Sequence, residues 1–286
     1  MLPLLSDIQA VVDRALAEDL SLGDPTTEAL VPPDIPGEGR VFAKGSGVLC
    51  GVPVATMVFR RLDSSLHVEA VLSDGDLLER GSTILRLRGS AASMLRGERV
   101  ALNFLQHLSG IATEAARYVE RVRDLPVRIV DTRKTVQGIR ALQKYAVQVG
   151  GGGNHRKNLG DGILIKDNHI AVMRARGMRL GEIVQQALRN ASHTIKVEVE
   201  VTSLEEAREA LEAGAHVLLL DNMSVEQMRH AVELARGKAS VEASGGITLE
   251  TVRAVAETGV DLISVGALTH SVRALDVSMD VELASA

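Results

Sequence analysis

The sequence predicts an α/β protein whose second half carries a parallel sheet, and three observations lead there. Of its 286 residues 45% are hydrophobic but only 2% aromatic, with no Trp, so the core must be built from Val, Leu, Ile and Ala. Buried parallel strands read as runs of just these residues. From Val127 onward such runs alternate with amphipathic stretches, the rhythm of strands joined by helical crossovers. Polar residues then gather immediately after each run, where α/β folds place their ligands.

Along the chain, Ile8, Val11, Val12, Ala15 and Leu16 recur at helical spacing, with Ser6 as the expected N-cap. Leu20–Gly39, rich in Gly, Pro, Asp and Thr, reads as connection. Between Gly39 and Arg88 the runs Val48–Cys50, Val68–Leu72 and Thr83–Leu87 are split by Gly and Asp, which predicts strands, with a helix over Val54–Leu62. Ser93–Val122 is helical, its stripe made by Ala101, Leu102, Leu105 and Leu108. The strands of the second half are Val127–Val130, Ile163–Ile165, Ile195–Val199, Val217–Leu220, Val241–Ala243 and Leu262–Val265. Helices fall at Gly181–Asn190, Leu204–Ala213, Val225–Ala235 and Leu249–Glu257. Spacing alone leaves a barrel and a doubly wound sheet both open.

A net charge of −5 argues against a general nucleic-acid surface, although 32 Lys and Arg residues suffice for a basic pocket. One cysteine, Cys50, allows neither an intrachain disulfide nor a thiolate metal cluster, and its run VLCGV suggests a buried hydrophobe in a reducing compartment. The first twenty residues lack a basic leader and no apolar run is long enough to span a bilayer, so a cytoplasmic protein is expected.

The expected chemistry sits at the strand ends. Arg133 and Lys134 follow one strand, and His155, Arg156 and Lys166 flank another, near glycines at 150–153 that permit close backbone approach to a ligand. An isolated Arg or Lys is as often a surface ion pair, but this collection points to an anion site. Planar guanidinium forks suit carboxylates, whereas Lys suits phosphate or carboxylate as a point charge. Glu198 and Asp221 each close a β-like run and could hold a hard cation such as Mg²⁺; Glu200, two residues beyond Glu198, shares its side of the strand and competes. Asp167 could orient a neighbouring side chain. Ser244, Gly245, Gly246 and Gly266 lie where backbone N–H groups would form an anion nest after the last strands. No GxxxxGK[ST] loop supports an ATPase.

These segments carry a resemblance. DTRKT at Asp131–Thr135, GGGxNHR ending at Arg156, LIKDNH at Leu164–His169 and GERVALNFLQHLSGIAT at Gly97–Thr113 resemble nicotinate-nucleotide pyrophosphorylase (carboxylating), also called quinolinate phosphoribosyltransferase (decarboxylating). KVEVE, LLLDN, EASGGI and ISVGALTH continue the match in order. The resemblance implies an N-terminal α/β sandwich-like domain over residues 1–109, rejoined by the tail 271–286. Residues 110–270 would form an open, incomplete α/β barrel related to TIM barrels. It implies quinolinate and 5-phosphoribosyl 1-pyrophosphate as substrates, Mg²⁺, and a homodimer or assembly of dimers in which Arg99 reaches the neighbouring site. Arg133, His155, Arg156 and Lys166 match the quinolinate positions. Lys134, Glu198, Asp221, Ser244–Gly246, Gly266 and His270 match the phosphoribosyl pyrophosphate side. Lys134, Lys166, Glu198 and Asp221 would carry the catalytic roles, with Glu198 and Asp221 on the metal. Gln137, Gln148 and His107 stand where Pro, Arg and Arg are common. A nicotinate phosphoribosyltransferase, a related protein of molybdenum-transport operons and a catalytically silent metabolite-binding or regulatory protein are the alternatives.

Overall fold

A computed structural model describes residues 2–283, and in it the chain divides into two units. The first takes the chain up to Ala116, Thr135–Gly151 and the chain from Leu268; the second takes Arg117–Lys134 and Gly152–Ala267. In chain order the elements begin α1 (Leu5–Asp19), α2 (Pro25–Leu30), β1 (Pro36–Ala43), β2 (Gly47–Val48), α3 (Val52–Leu62), β3 (His67–Ala70), β4 (Leu77–Leu78), β5 (Thr83–Ser90) and α4 (Ala91–Arg121). There follow β6 (Arg128–Val130), α5 (Arg140–Val149), β7 (Ile163–Ile165), α6 (Asp167–Arg174), α7 (Leu180–Asn190), β8 (Val197–Val201), α8 (Leu204–Glu212) and β9 (Val217–Asp221). The last are α9 (Val225–Ala235), β10 (Ser240–Ser244), α10 (Val252–Ala256), β11 (Leu262–Ser264), α11 (Ala267–His270) and β12 (Val277–Leu283).

In the first unit α1 buries Ile8, Val12 and Leu16, the stripe its spacing predicts. Its N-cap is Leu4, with no side-chain cap bond, so Ser6 lies inside the first turn and does not cap it. The stretch read as connection contains α2, capped by Asp24 through the Thr27 N–H and opened by Pro25 at its first turn. Six residues are too few for a periodic signal. The four-stranded sheet runs β12-β1-β5-β3, antiparallel throughout. Along β1 the residues alternate, with Gly37, Gly39, Val41 and Ala43 buried and Glu38 and Arg40 exposed, so one face meets the core and the other water. The tail pairs with β1 as β12, Leu283 opposite Gly37; tail residues 284–286 lie outside the described residues.

Asp74 caps α3, accepting the N–H groups of Gly51 and Val52, and takes the Tyr145 hydroxyl at 2.8 Å. Cys50 beside it is fully buried, and burial pushes its thiol up, consistent with a small buried hydrophobe. Thr135–Gly151, expected within the barrel, groups with the first unit. Gln143 of α5 donates to the Thr269 carbonyl at 3.0 Å, and Gly150 lies where any Cβ would strike the Ala112 carbonyl.

The second unit is a six-stranded parallel sheet in the order β6-β11-β10-β9-β8-β7. Strands β7 to β11 follow one another without reversal, the winding of a barrel and not of a doubly wound sheet. Among the described residues no ladder joins β6 to β7, so the barrel is open. Beside β6 the chain after the glycine run forms a single parallel bridge, Gly153 to Val130.

Candidate active site

The site is assembled in the second unit from the ends of its parallel strands. After β6, Asp131 is fully buried and accepts two bonds from the glycine-rich segment: Asn154 Nδ2 at 2.7 Å and the His155 N–H at 3.0 Å. Gly153 continues the ladder, its N–H on the Ile129 carbonyl at 2.8 Å. DTRKT and GGGxNHR thus form one structure, with Arg133 and Arg156 on neighbouring branches. At the end of β7 the Lys166 N–H donates to His169 Nδ1 at 3.0 Å, which folds the start of α6 back and fixes the backbone carrying Lys166. Asp167 turns toward its own helix, accepting the Asn168 N–H at 2.7 Å.

These ends enclose a cavity of about 590 Å³. Its lining includes the basic groups Arg133, Lys134, His155, Arg156 and Lys166 together with Glu200, Asp221, Asn222, Ser244, Gly245 and Gly246. Burial first, and the neighbouring Arg133 charge second, pull Arg156 below the ordinary guanidinium range. Two guanidinium groups held where they repel each other form an electrostatic site for an anion. Arg156 is further fixed by a bond from its Nη1 to the Gly162 carbonyl at 3.1 Å.

The phosphate-like end depends on backbone handedness. Gly245 and Gly246 have φ of +94° and +60°, and Asn222 has φ of +53°. A Cβ on Gly245 would collide with the Asn222 side chain, so glycine is required there. The Asn222 N–H donates to the Ser244 carbonyl at 3.0 Å, binding the β9 and β10 turns together. Such a turn is a concave set of backbone donors.

The acidic pair differs from the expected one. Glu198 pairs in register with Val217, four residues before Asp221, a separation of about 13 Å along the strand. It is 8% exposed and faces His155, its Oε2 lying 3.1 Å from His155 Nε2. Glu200 pairs with Leu219, two residues nearer the mouth, and borders the cavity with Asp221. Burial, with the charges of Asp221 and Asp167, raises Glu200 above the usual carboxylate range while Lys166, 3.8 Å away, opposes the shift. The structure therefore joins Asp221 with Glu200 at the cavity, not with Glu198. Both glutamates point to one face because they are two residues apart, and only the register with β9 distinguishes them.

Other expected site residues lie elsewhere. Gly266 connects β11 to α11. His270 ends α11, in the first unit, with its Nδ1 2.6 Å from Ser271 Oγ. Arg99 also belongs to the first unit, on α4, with a side chain 58% exposed. Sequence reasoning gave no role to Glu242, Ser264 or Asn222, which also border the cavity. The parity of Glu242 with Ser244, two residues on, was available, but the apolar run around Glu242 concealed it.

Family models for the N-terminal and C-terminal domains of quinolinate phosphoribosyl transferase match residues 24–109 and 111–280. A Bacillus subtilis protein, described as probable nicotinate-nucleotide pyrophosphorylase [carboxylating], is 43% identical over 97% of this chain and 94% of its own. The Nicotiana glauca mitochondrial quinolinate phosphoribosyltransferase [decarboxylating] 2 is 42% identical, covering 97% of this chain and 84% of the relative. The crystal structure of NadC from Streptococcus pyogenes superposes with a TM-score of 0.93 at 41% identity, over 100% of both chains. With both family domains matched in order and relatives aligned along nearly the whole length, the chain belongs to the quinolinate phosphoribosyl transferase family.

Proposed function

We propose that this protein transfers the phosphoribosyl group of 5-phosphoribosyl 1-pyrophosphate to quinolinate and decarboxylates the product, giving nicotinate mononucleotide, pyrophosphate and carbon dioxide for NAD synthesis. The observation that carries the reading is that the mutually repelling Arg133–Arg156 pair and the Gly245–Gly246 turn border one cavity. That arrangement suits a ligand set with carboxylates at one end and phosphate at the other.

In this reading Arg133, Arg156, Lys166 and His155 hold the quinolinate carboxylates so that the ring nitrogen faces C1 of the ribose. Lys134, Ser244, Gly245, Gly246 and Gly266 bind phosphate oxygens. Glu200 and Asp221 are hard oxygen donors whose mutual repulsion a divalent cation relieves, so the residues present fit Mg²⁺. When bound, Mg²⁺ supplies charge neutralisation to departing pyrophosphate. Lys134 and Lys166 face the developing negative charge, and Asp221 favours the oxocarbenium character at the ribosyl centre. No protein nucleophile is needed. The contact of His155 with the buried Glu198 serves as support beneath the substrate and not as part of the metal site. Arg99 acts from a second copy in a cytoplasmic homodimer, a role supported by the family motif and by the exposure of its side chain.

The test is purified protein with quinolinate, 5-phosphoribosyl 1-pyrophosphate and Mg²⁺. Nicotinate mononucleotide and carbon dioxide are expected in equal amounts by mass spectrometry. Turnover of nicotinate in place of quinolinate, or binding without turnover, would overturn the assignment. Mixing R99A subunits with subunits inactive at Arg133 tests the shared site, since only mixed dimers would regain activity.

A further inference from the structure

Glu242, on β10, borders the cavity yet is 1% exposed, and the roles above leave it unused. Its Oε2 lies 3.5 Å from His155 Nε2, the same nitrogen that lies 3.1 Å from Glu198 Oε2. Three such groups resemble a metal site, but the imidazole argues against one. The Arg156 backbone N–H donates to His155 Nδ1 at 2.7 Å, so Nδ1 is bare and the ring proton sits on Nε2, between the two carboxylates. A metal ion would need that nitrogen's lone pair.

One N–H therefore serves two buried carboxylates. Glu198 Oε1 and Glu242 Oε1 have no hydrogen-bond partner among the described residues. Two adjacent buried anions beside a neutral imidazole are strongly disfavoured, and one additional proton relieves both the charge and the orphaned oxygens. The proton belongs on Glu242. Burial first, then the Glu198 charge, push its carboxyl up to about 7, while His155 and the Ser264 hydroxyl pull the other way. From the flanking strands its register partners are Leu219 and Leu262, which bring no further charge.

We propose that Glu242 is the general acid that protonates C2 of the pyridine ring as carbon dioxide leaves. The inference rests on the decarboxylating transferase reading. In the step, the bond from C2 to its carboxylate breaks and carbon dioxide departs without the electron pair. The pair stays on C2, beside the cationic ring nitrogen. The Glu242 O–H proton moves to C2 to form the C–H bond, and Glu242, left as a carboxylate next to Glu198, regains a proton from water. An acid that titrates near the working pH suits this exchange. Lys134 and Lys166 also carry protons at this cavity, but giving one up would remove the charge that holds the anionic substrates.

The test measures pyrophosphate, nicotinate mononucleotide and the nucleotide that still bears both carboxylates, in wild type, E242Q and E242D. Wild type forms the first two one to one. E242Q is expected to release pyrophosphate within about threefold of the wild-type rate while decarboxylated product forms about a hundredfold more slowly, so the dicarboxylate nucleotide accumulates. E242D is expected to restore much of the second step. Equal yields of pyrophosphate and nicotinate mononucleotide in a folded E242Q, at whatever rate, would overturn the proposal, because a structural role slows both steps together. If E242Q does not fold, E198Q takes its place. Losing the neighbouring charge should move the alkaline limb of the decarboxylation step to lower pH, and an unmoved limb overturns the proposal. Wild type that makes neither product overturns the transferase reading itself.

Discussion

Each unit of this protein sets a half-buried histidine beside buried polar side chains, and the two clusters are built on opposite terms. In the first unit Gln143 is fully buried with both ends of its amide engaged. Its Oε1 accepts the Val136 N–H at 2.8 Å, and its Nε2 reaches the Thr269 carbonyl at 3.0 Å and His107 Nε2 at 2.9 Å. Every group there is neutral. In the second unit His155 is shared by Glu198 and Glu242, each with an orphaned oxygen. A satisfied neutral network rigidifies, whereas a charged and under-satisfied cluster beside a cavity stores electrostatic free energy that a ligand or a proton can release. The contrast assigns structure to the first cluster and chemistry to the second.

The largest effect expected from that contrast lies at the cavity wall. R156Q removes one of two repelling guanidinium groups and leaves any bound carboxylate short of its partner. It should lower kcat/KM for quinolinate about 100-fold or more with little change in unfolding free energy. Steady-state kinetics together with denaturant unfolding separate the two, and a stability loss without a kinetic one would reverse the assignment.

Asp131 lies between chemistry and structure, because its carboxylate ties Asn154 and His155 to the end of β6. D131N replaces an acceptor oxygen with a donor that cannot satisfy both. A cost of about 2 kcal/mol in stability is expected, with a further loss of activity per folded molecule as His155 and Arg156 lose their alignment. Loss of stability alone would place Asp131 with the structural cluster.

Q143A should cost less, about 1–2 kcal/mol by chemical denaturation, since the Thr269 carbonyl and His107 lose a partner while exposed Val136 can turn to water. Activity per folded molecule should stay within about threefold of wild type.

How much of this was legible in the sequence follows from the same contrast. The cations of DTRKT, NHR and LIKDN could be read because Arg and Lys beside predicted strand ends are conspicuous, and four of them border one cavity. The choice between Glu198 and Glu200 could not, because both share a face and the deciding fact is which residue of β9 each opposes. The partners of His155 could not be read either: its Nδ1 accepts the Arg156 N–H and its Nε2 faces Glu198, a long-range contact that no local pattern reports. Strand β7 and helix α9 were predicted to the residue. By contrast α5 went unread, because its buried face includes Gln143 and Lys144 beside Leu142, Ala146 and Val147, which blurs the apolar period. Tertiary packing, not composition, makes those polar residues part of the core.

The smallest effect is also the one that best separates the clusters, because they should respond to pH in opposite directions. Burial lowers His107 below its ordinary value of 6.5, so the unfolded chain takes up the proton more readily than the native one. Its contribution is complete above pH 6.5 and is lost as pH falls toward the native value. Glu242 is raised from 4.5 to about 7, so the native protein holds a proton that the unfolded chain releases. Its contribution is complete below 4.5 and is lost as pH rises through about 7. Unfolding free energy measured by denaturant across this range should therefore lose its acid-side decline in H107N, whose amide can still accept from Gln143 without titrating. It should lose its alkaline-side decline in E242Q. If both variants flatten the same side, the two histidine clusters are not electrostatic opposites, and the division of structure from chemistry between the units has to be redrawn from the kinetic data alone.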